Sequence, residues 1–239
     1  MSVYSNYFAF FFLLPGFSFF ILLPSQDGYL SIILKSGSGL MKPKLFFSLI
    51  LFLTAVFSLP ACGQTNTADV RIVMLGDSIT AWGNWPVLLK RNDVRNQGVA
   101  GNETSDILAR LEKVYWLKPK KCLIMIGIND LLRERSIERI FDNYNKIIDG
   151  LLKREITPII QSTLYLAGPD PRNKKVESLN RKIKKLAEER KLIYLDLNQR
   201  LAPNGELLPP YTNDGLHLSG AGYQAWKDEL LKTSVLSLP

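Results

Sequence analysis

Val70-Arg71-Ile72-Val73-Met74-Leu75-Gly76-Asp77-Ser78-Ile79-Thr80 decides how the chain is to be read. Five of its first six residues are apolar, and Gly76 ends the run. Residues 70–75 therefore read as a buried strand that gives way to a tight turn. Four more strand candidates follow at residues 94–99, 122–126, 157–163 and 192–197. Between them, apolar side chains recur at intervals of three and four. One stripe is Ile107, Leu108, Leu111, Val114 and Tyr115; a second begins Ile137, Ile140, Phe141 and Tyr144; a third is Val176, Leu179, Ile183 and Leu186. Each is the pattern of a helix with one buried face. Residues 221–231 can form a closing helix. Strands alternating with helices require right-handed crossovers and a parallel sheet covered on both faces. The expectation is an α/β fold, a flavodoxin-like three-layer α/β/α sandwich with a five-stranded parallel sheet in the order 2-1-3-4-5. Ligands in such a fold bind beyond the carboxyl ends of the strands, near the switch between strands one and three. The sequence gives no sign of an internal repeat or of a second domain.

Upstream of this domain, expected at residues 70–236, the composition changes. Met41-Lys42-Pro43-Lys44 is a short basic start, residues 45–59 are apolar, and Leu59-Pro60-Ala61-Cys62 closes the run. That order of charge, apolar run and small-residue exit describes a secretory signal at residues 41–62. Cys62 at this point resembles the lipid-carrying cysteine of a bacterial lipoprotein, although Pro60 is unusual there and ordinary signal cleavage is the alternative. Residues 63–69 would be a polar linker. The expected location is exported and bacterial: the envelope by a lipidated N-terminus, or the periplasm or medium. Residues 7–23 are apolar but broken by Pro15 and Gly16, a poor pattern for a spanning helix. Met41 reads as the natural start and residues 1–40 as an upstream extension, with an N-terminal membrane segment as the alternative.

A formal charge of +8 raises the question of nucleic acid. Much of the charge lies in one helical stretch, where Lys174, Lys175, Arg181, Lys182, Lys184 and Lys185 are interleaved with Glu177, Glu188 and Glu189. A face of mixed sign reads as a solvated surface and not as a nucleic-acid patch. Attraction to anionic lipid or glycan stays open. The two cysteines, Cys62 and Cys122, sit in unlike settings and form neither a disulfide framework nor a metal site. Cys122 reads as a small buried hydrophobe. With one histidine and no cysteine cluster, neither a metal nor a cofactor is expected. A Gly-x-Ser-x-Gly elbow, a dinucleotide fingerprint and a phosphate loop are all missing.

Chemistry-bearing residues gather where the topology would bring them to one rim. Gly76-Asp77-Ser78 follows strand one. Asn96-Gln97-Gly98-Val99-Ala100-Gly101-Asn102-Glu103-Thr104 covers the end of strand two. Gly127-Ile128-Asn129-Asp130 follows strand three, and Asp214-Gly215-Leu216-His217 precedes the last helix. Acyl transfer needs a hydroxyl activated by a base, the base oriented by an acid, and donors for the developing oxyanion. Ser78 is the candidate nucleophile. His217, the chain's single histidine, is the candidate base, with Asp214 three residues earlier as its partner. Asn129 offers a side-chain amide, Gly101 an unshielded N–H, and Ser78 its own N–H. Each piece has a plainer reading. Ser78 can cap a helix, Asn129 and Asp130 can form a turn, and so can Asp214-Gly215. Asp77 and Asp130 read as loop-organising carboxylates, the latter with a potential influence on substrate.

These four blocks, in this order, resemble those of the SGNH/GDSL hydrolases, an esterase and lipase family, over essentially all of residues 70–236. The resemblance implies the SGNH hydrolase fold and a triad of Ser78, Asp214 and His217. It implies an oxyanion hole of Ser78, Gly101 and Asn129, with Gly98 as a backbone-turn residue. Ile79 stands where the family has leucine, a volume-conserving change. Trp82, Trp85, Leu131, Leu132 and Tyr165 follow strand ends and could line a substrate pocket, with core packing the alternative for Trp85 and Leu132. No long lid segment is evident, which favours a shallow site and short acyl groups. The expected substrate is a small-molecule or glycan ester, O-acetyl carbohydrate first. Lysophospholipase or thioesterase-like activity is the alternative, and a catalytically silent glycan-binding module the alternative from another class.

Overall fold

The computed structural model describes residues 9–14, 17–22, 32–36 and 69–237. The chain divides into two compact units, residues 1–65 and 66–239. In the first, strands β1 (Ala9–Leu14), β2 (Phe17–Leu22) and β3 (Ile32–Ser36) form an antiparallel sheet in that order. The signal expected at 41–62, Cys62 and the linker as far as residue 68 lie outside the described residues, as does the rest of residues 1–40. Among the described residues no helix is long and apolar enough to cross a membrane.

The second unit is built on five parallel strands: β4 (Ile72–Gly76), β5 (Val94–Gly98), β6 (Lys121–Met125), β7 (Thr157–Gln161) and β8 (Ile193–Leu195). Their order is β5-β4-β6-β7-β8, the 2-1-3-4-5 order expected. β4 and β6 are fully covered along their apolar residues, which is why they read as continuous runs and not as alternations. Each strand lies within two residues of its expected bounds. The edge strand β8 is the shortest, because Leu197 turns inward and its N–H bonds the Ser162 hydroxyl at 2.9 Å.

Nine helices are described in this unit: α1 (Ser78–Ala81), α2 (Trp85–Leu89), α3 (Thr104–Ala109), α4 (Glu112–Leu117), α5 (Ile128–Leu132), α6 (Ile137–Leu152), α7 (Asn173–Glu189), α8 (Asn198–Leu201) and α9 (Gly220–Lys232). α6 buries Ile140, Tyr144, Ile147, Ile148 and Leu151 on one face. Each such side chain contributes about 1.5–3 kcal/mol when fully buried. Tyr144 adds a hydrogen bond, donating to Ile126 O at 2.9 Å. The stripe from Ile107 to Tyr115 differs from the single helix its spacing predicts: it is broken into α3 and α4 at Arg110. Arg110 turns inward, where its guanidinium bonds Asn102 Oδ1 at 2.7 Å and Gly76 O at 3.0 Å. A tertiary contact overrides the local period there. The closing α9 is anchored by Trp226, buried edge-on against Trp85 (4.6 Å between centroids) and bonded to Gln161 Oε1 at 2.8 Å.

Candidate active site

β4 leads directly into the Ser78 turn. Asp77 caps α1, its carboxylate accepting from Ile79 N–H at 2.9 Å. Ser78 is therefore the first helical residue and not the cap, and its hydroxyl is free for another partner. The C-terminal carbonyls of α1 are gripped by side chains. Asn96 Nδ2 reaches Thr80, Ala81 and Gly83 O, Trp85 Nε1 reaches Thr80 O at 2.9 Å, and the Tyr223 hydroxyl reaches Ile79 O at 2.7 Å. Gly98 lets β5 come this close: a Cβ there would meet Ala81 N at 2.2 Å. Its role is close approach at a strand end, not the turn expected of it.

His217 arrives from the loop before α9. Ser78 Oγ lies 2.9 Å from His217 Nε2, and Asp214 Oδ2 lies 2.7 Å from Nδ1. The imidazole hydrogen bond and the N–H groups of His217 and Leu216 hold the Asp214 carboxyl down at about 2. An ionised carboxylate only accepts, so the proton sits on Nδ1 and Nε2 is left to accept from Ser78 O–H. The loop is fixed from inside, with the Thr212 hydroxyl donating to His217 O at 2.8 Å and Gly215 N–H donating to Thr212 Oγ1 at 2.9 Å. Trp82 stacks on the imidazole at 4.0 Å between centroids and leaves 57% of its surface to solvent.

The remaining donors meet across strand ends. β4 pairs with both β5 and β6, bringing Gly76 opposite Gly98 and Met125. Gly101 adopts a left-handed φ of +75° that suits glycine. Asn129, in the first turn of α5, donates one amide hydrogen to Asn102 O at 3.0 Å, leaving the other available. The N–H groups of Ser78 and Gly101 have no partner among the described residues. Three arginines surround this loop. Arg110 holds Asn102, Arg133 donates to Gly101 O at 2.9 Å, and Arg135 with Arg133 clasps Glu103. The Arg135 hydrogen bond keeps the Glu103 carboxyl below the usual carboxylate range.

Asp130 is buried and bonded to Thr104 twice, at the hydroxyl (2.6 Å) and the N–H (2.9 Å), and Thr104 in turn accepts from Asn143. It ties α5 to α3 and faces no solvent, so its influence on substrate is indirect. Burial pushes both it and Asp77 upward, Asp77 to about 7. Burial likewise raises the Cys122 thiol, consistent with an inert apolar residue.

Of the expected pocket residues, Trp82 stands over the site, stacked on His217. Leu131 is fully buried as part of the hydrophobic core, so it cannot line a pocket. Trp85 is core, and Leu132 packs against it. Tyr165 is half-buried, its phenol pKa raised by burial, and two residues on, Ala167 N–H donates to Gly215 O at 2.8 Å, in the loop that carries Asp214 and His217. Tyr223, Arg133 and Arg135 lie outside the motif blocks, and nothing in the sequence marks them. Asn96 and Glu103 stand within the second motif block, but nothing local marks their partners. Among the described residues no group of acidic, histidine or cysteine side chains could hold a metal ion.

Comparison with known proteins gives this arrangement relatives. An acetylxylan esterase of Geobacillus stearothermophilus is 30% identical over 117 residues, covering 43% of this chain and 53% of that protein. An N-acylneuraminate cytidylyltransferase of Streptococcus agalactiae is 26% identical over 166 residues, 66% of this chain but only 39% of the relative's length. A solved GDSL-like lipase from Bacteroides thetaiotaomicron shares the fold, with a TM-score of 0.63 at 24% identity over 78% of this chain and 95% of the other. The family model of the GDSL-like lipases and acylhydrolases matches residues 74–225, a span that contains every residue of the Ser78 cluster, and the chain belongs to that family.

Proposed function

We propose that the protein is a serine esterase that removes short acyl groups, O-acetyl esters of carbohydrates foremost, through an acyl-enzyme on Ser78. The observation that carries this reading is the unbroken hydrogen-bonded line from Ser78 through His217 to Asp214. Ser78 Oγ attacks the acyl carbon while His217 Nε2 takes its proton, and Asp214 stabilises the imidazolium that results. The oxyanion of the tetrahedral intermediate is met by the N–H groups of Ser78 and Gly101 and by the free amide hydrogen of Asn129. Loss of one such donor lowers kcat by about 10²–10³. The intermediate collapses as His217 returns the proton to the leaving alcohol. Water, deprotonated by the same imidazole, then attacks the acyl-serine, and the carboxylic acid departs as Ser78 regains its proton.

The exposed face of Trp82 offers a platform for a sugar ring beside the scissile ester. The acetylxylan esterase relative supports the same class of substrate. Hydrolysis of p-nitrophenyl acetate, p-nitrophenyl octanoate and acetylated xylooligosaccharides tests the proposal. Ser78→Ala should lose about 10³-fold or more on all of them, and wild type should prefer acetate. Equal rates for Ser78→Ala and wild type would reject the mechanism, and preference for octanoate would reject the short-acyl assignment in favour of a lysophospholipase-like one.

A further inference from the structure

Because β4 to β8 are parallel, every strand-to-helix loop leaves at one pole and every helix-to-strand loop at the other. The Ser78 cluster occupies the first pole. The opposite pole has a composition of its own. Seven large apolar side chains are exposed within residues 69–237, and Trp82 and Val99 belong to the site pole. The other five are Val87, Trp116, Leu152, Ile193 and Leu231. Three of these lie in the last two residues of α4, α6 and α9, Val87 is the middle residue of the short α2, and Ile193 opens β8. Those helices run to the amino ends of the strands. The segment after α9 is held there by Lys121, whose amino group bonds Val235 O at 3.1 Å. Trp116, 84% exposed, is the most accessible of the seven.

Basic residues are set among them. An open cavity of about 500 Å³ is lined by Tyr115, Lys118, Lys120, Lys153, Arg154 and Glu155, with Trp116 between two of these in the chain. Arg154 is engaged, stacked over Tyr115 and paired with Glu112. Lys118, Lys120 and Lys153 make no ion pair among the described residues. Lys90, Lys118 and Lys191 take left-handed backbone positions at helix exits (φ 52°, 46° and 55°), where glycine fits with less strain. A cation at a helix carboxyl end complements the helix dipole. That accounts for some of the charge and for none of the exposed Trp, Leu and Val.

We infer that this pole seats the domain on an anionic lipid surface, with the Ser78 site turned to the aqueous side. Lysines rim an exposed tryptophan and aliphatic side chains that are spread over the face and not gathered in one groove. This is the chemistry of an interface with headgroups outside and acyl chains beneath. A polyanionic glycan would use the lysines and leave the aliphatic side chains without purpose. The inference stands apart from the esterase reading, since no residue of this pole takes part in the chemistry.

Co-sedimentation of the full-length chain with phosphatidylcholine vesicles, and with vesicles of phosphatidylcholine mixed with phosphatidylglycerol, tests it. The full chain is used throughout, so any contribution from residues 1–68 is common to every protein compared. Trp116→Ala, and separately the triple variant Lys118→Ala, Lys120→Ala, Lys153→Ala, should each weaken binding to the mixed vesicles by about tenfold or more. Binding of the triple variant to phosphatidylcholine alone, and the thermal melt of both variants, should stay at wild-type values. Wild-type binding by both variants would overturn the inference. So would equal binding of wild type to the two vesicle types. Binding of a soluble anionic polysaccharide that the same substitutions abolish, with vesicle binding unmoved, would assign the face to glycan and overturn it equally.

Discussion

Asp77, between the glycine that ends β4 and the serine that opens α1, is 1% exposed and yet carries a carboxyl. Its oxygen caps Ile79 N–H, but burial outweighs that bond and the nearby imidazole and lifts the carboxyl to about 7. The sign of the consequence follows. Between about pH 4 and 7 the folded protein holds a proton that the unfolded chain has released, so stability is greatest on the acid side of this window and declines as pH rises through it. Asp77→Asn keeps an oxygen for the cap and removes the titration. Urea unfolding at pH 5 and pH 8 should show the wild-type decline reduced in the variant by on the order of 2 kcal/mol; the same decline in both proteins would contradict the assignment. Ser78 beside it gains from this division of labour. With Asp77 as the cap, the serine hydroxyl is left for His217.

At the scale of elements, the site depends on side chains that bind one element to the next. Asp130 at the start of α5 holds Thr104 at the start of α3, and Asn143 of α6 completes the group. Asp130→Ala strands the Thr104 N–H and hydroxyl in a dry environment and should cost about 2–4 kcal/mol, read as a lowered urea midpoint with an unchanged slope; a midpoint within error of wild type would contradict this. This level was also the least readable in advance. The helices α6 and α7 and the strands β4 and β6 were evident because periodicity and burial agree along them. The break between α3 and α4 was not, since it follows from where Arg110 finds Asn102 and Gly76 O. The same holds for the site. Ser78, Asp214, His217, Gly101 and Asn129 stand in short blocks at strand ends, and the topology alone brings those blocks together. Leu131 is core where a pocket residue is expected, because five residues of helix are too few to tell the buried side from the open one. Asn96 and the arginines around Glu103 act only through partners many residues away.

For the whole molecule, a parallel sheet separates two surfaces of different character. One pole gathers the Ser78–His217–Asp214 line, the unpartnered N–H groups and Trp82; the other carries scattered exposed apolar side chains and an open cavity lined in part by lysines. Family membership is settled by the match across residues 74–225. The central claim is that Ser78 is a nucleophile made reactive by His217. Intact-mass and peptide mass spectrometry after treatment with a fluorophosphonate measures this directly. The account predicts a single phosphonyl group on the peptide containing Ser78, none on Ser78→Ala and a greatly slowed reaction with His217→Ala. Labelling at another serine, or undiminished labelling of Ser78 in His217→Ala, would contradict it.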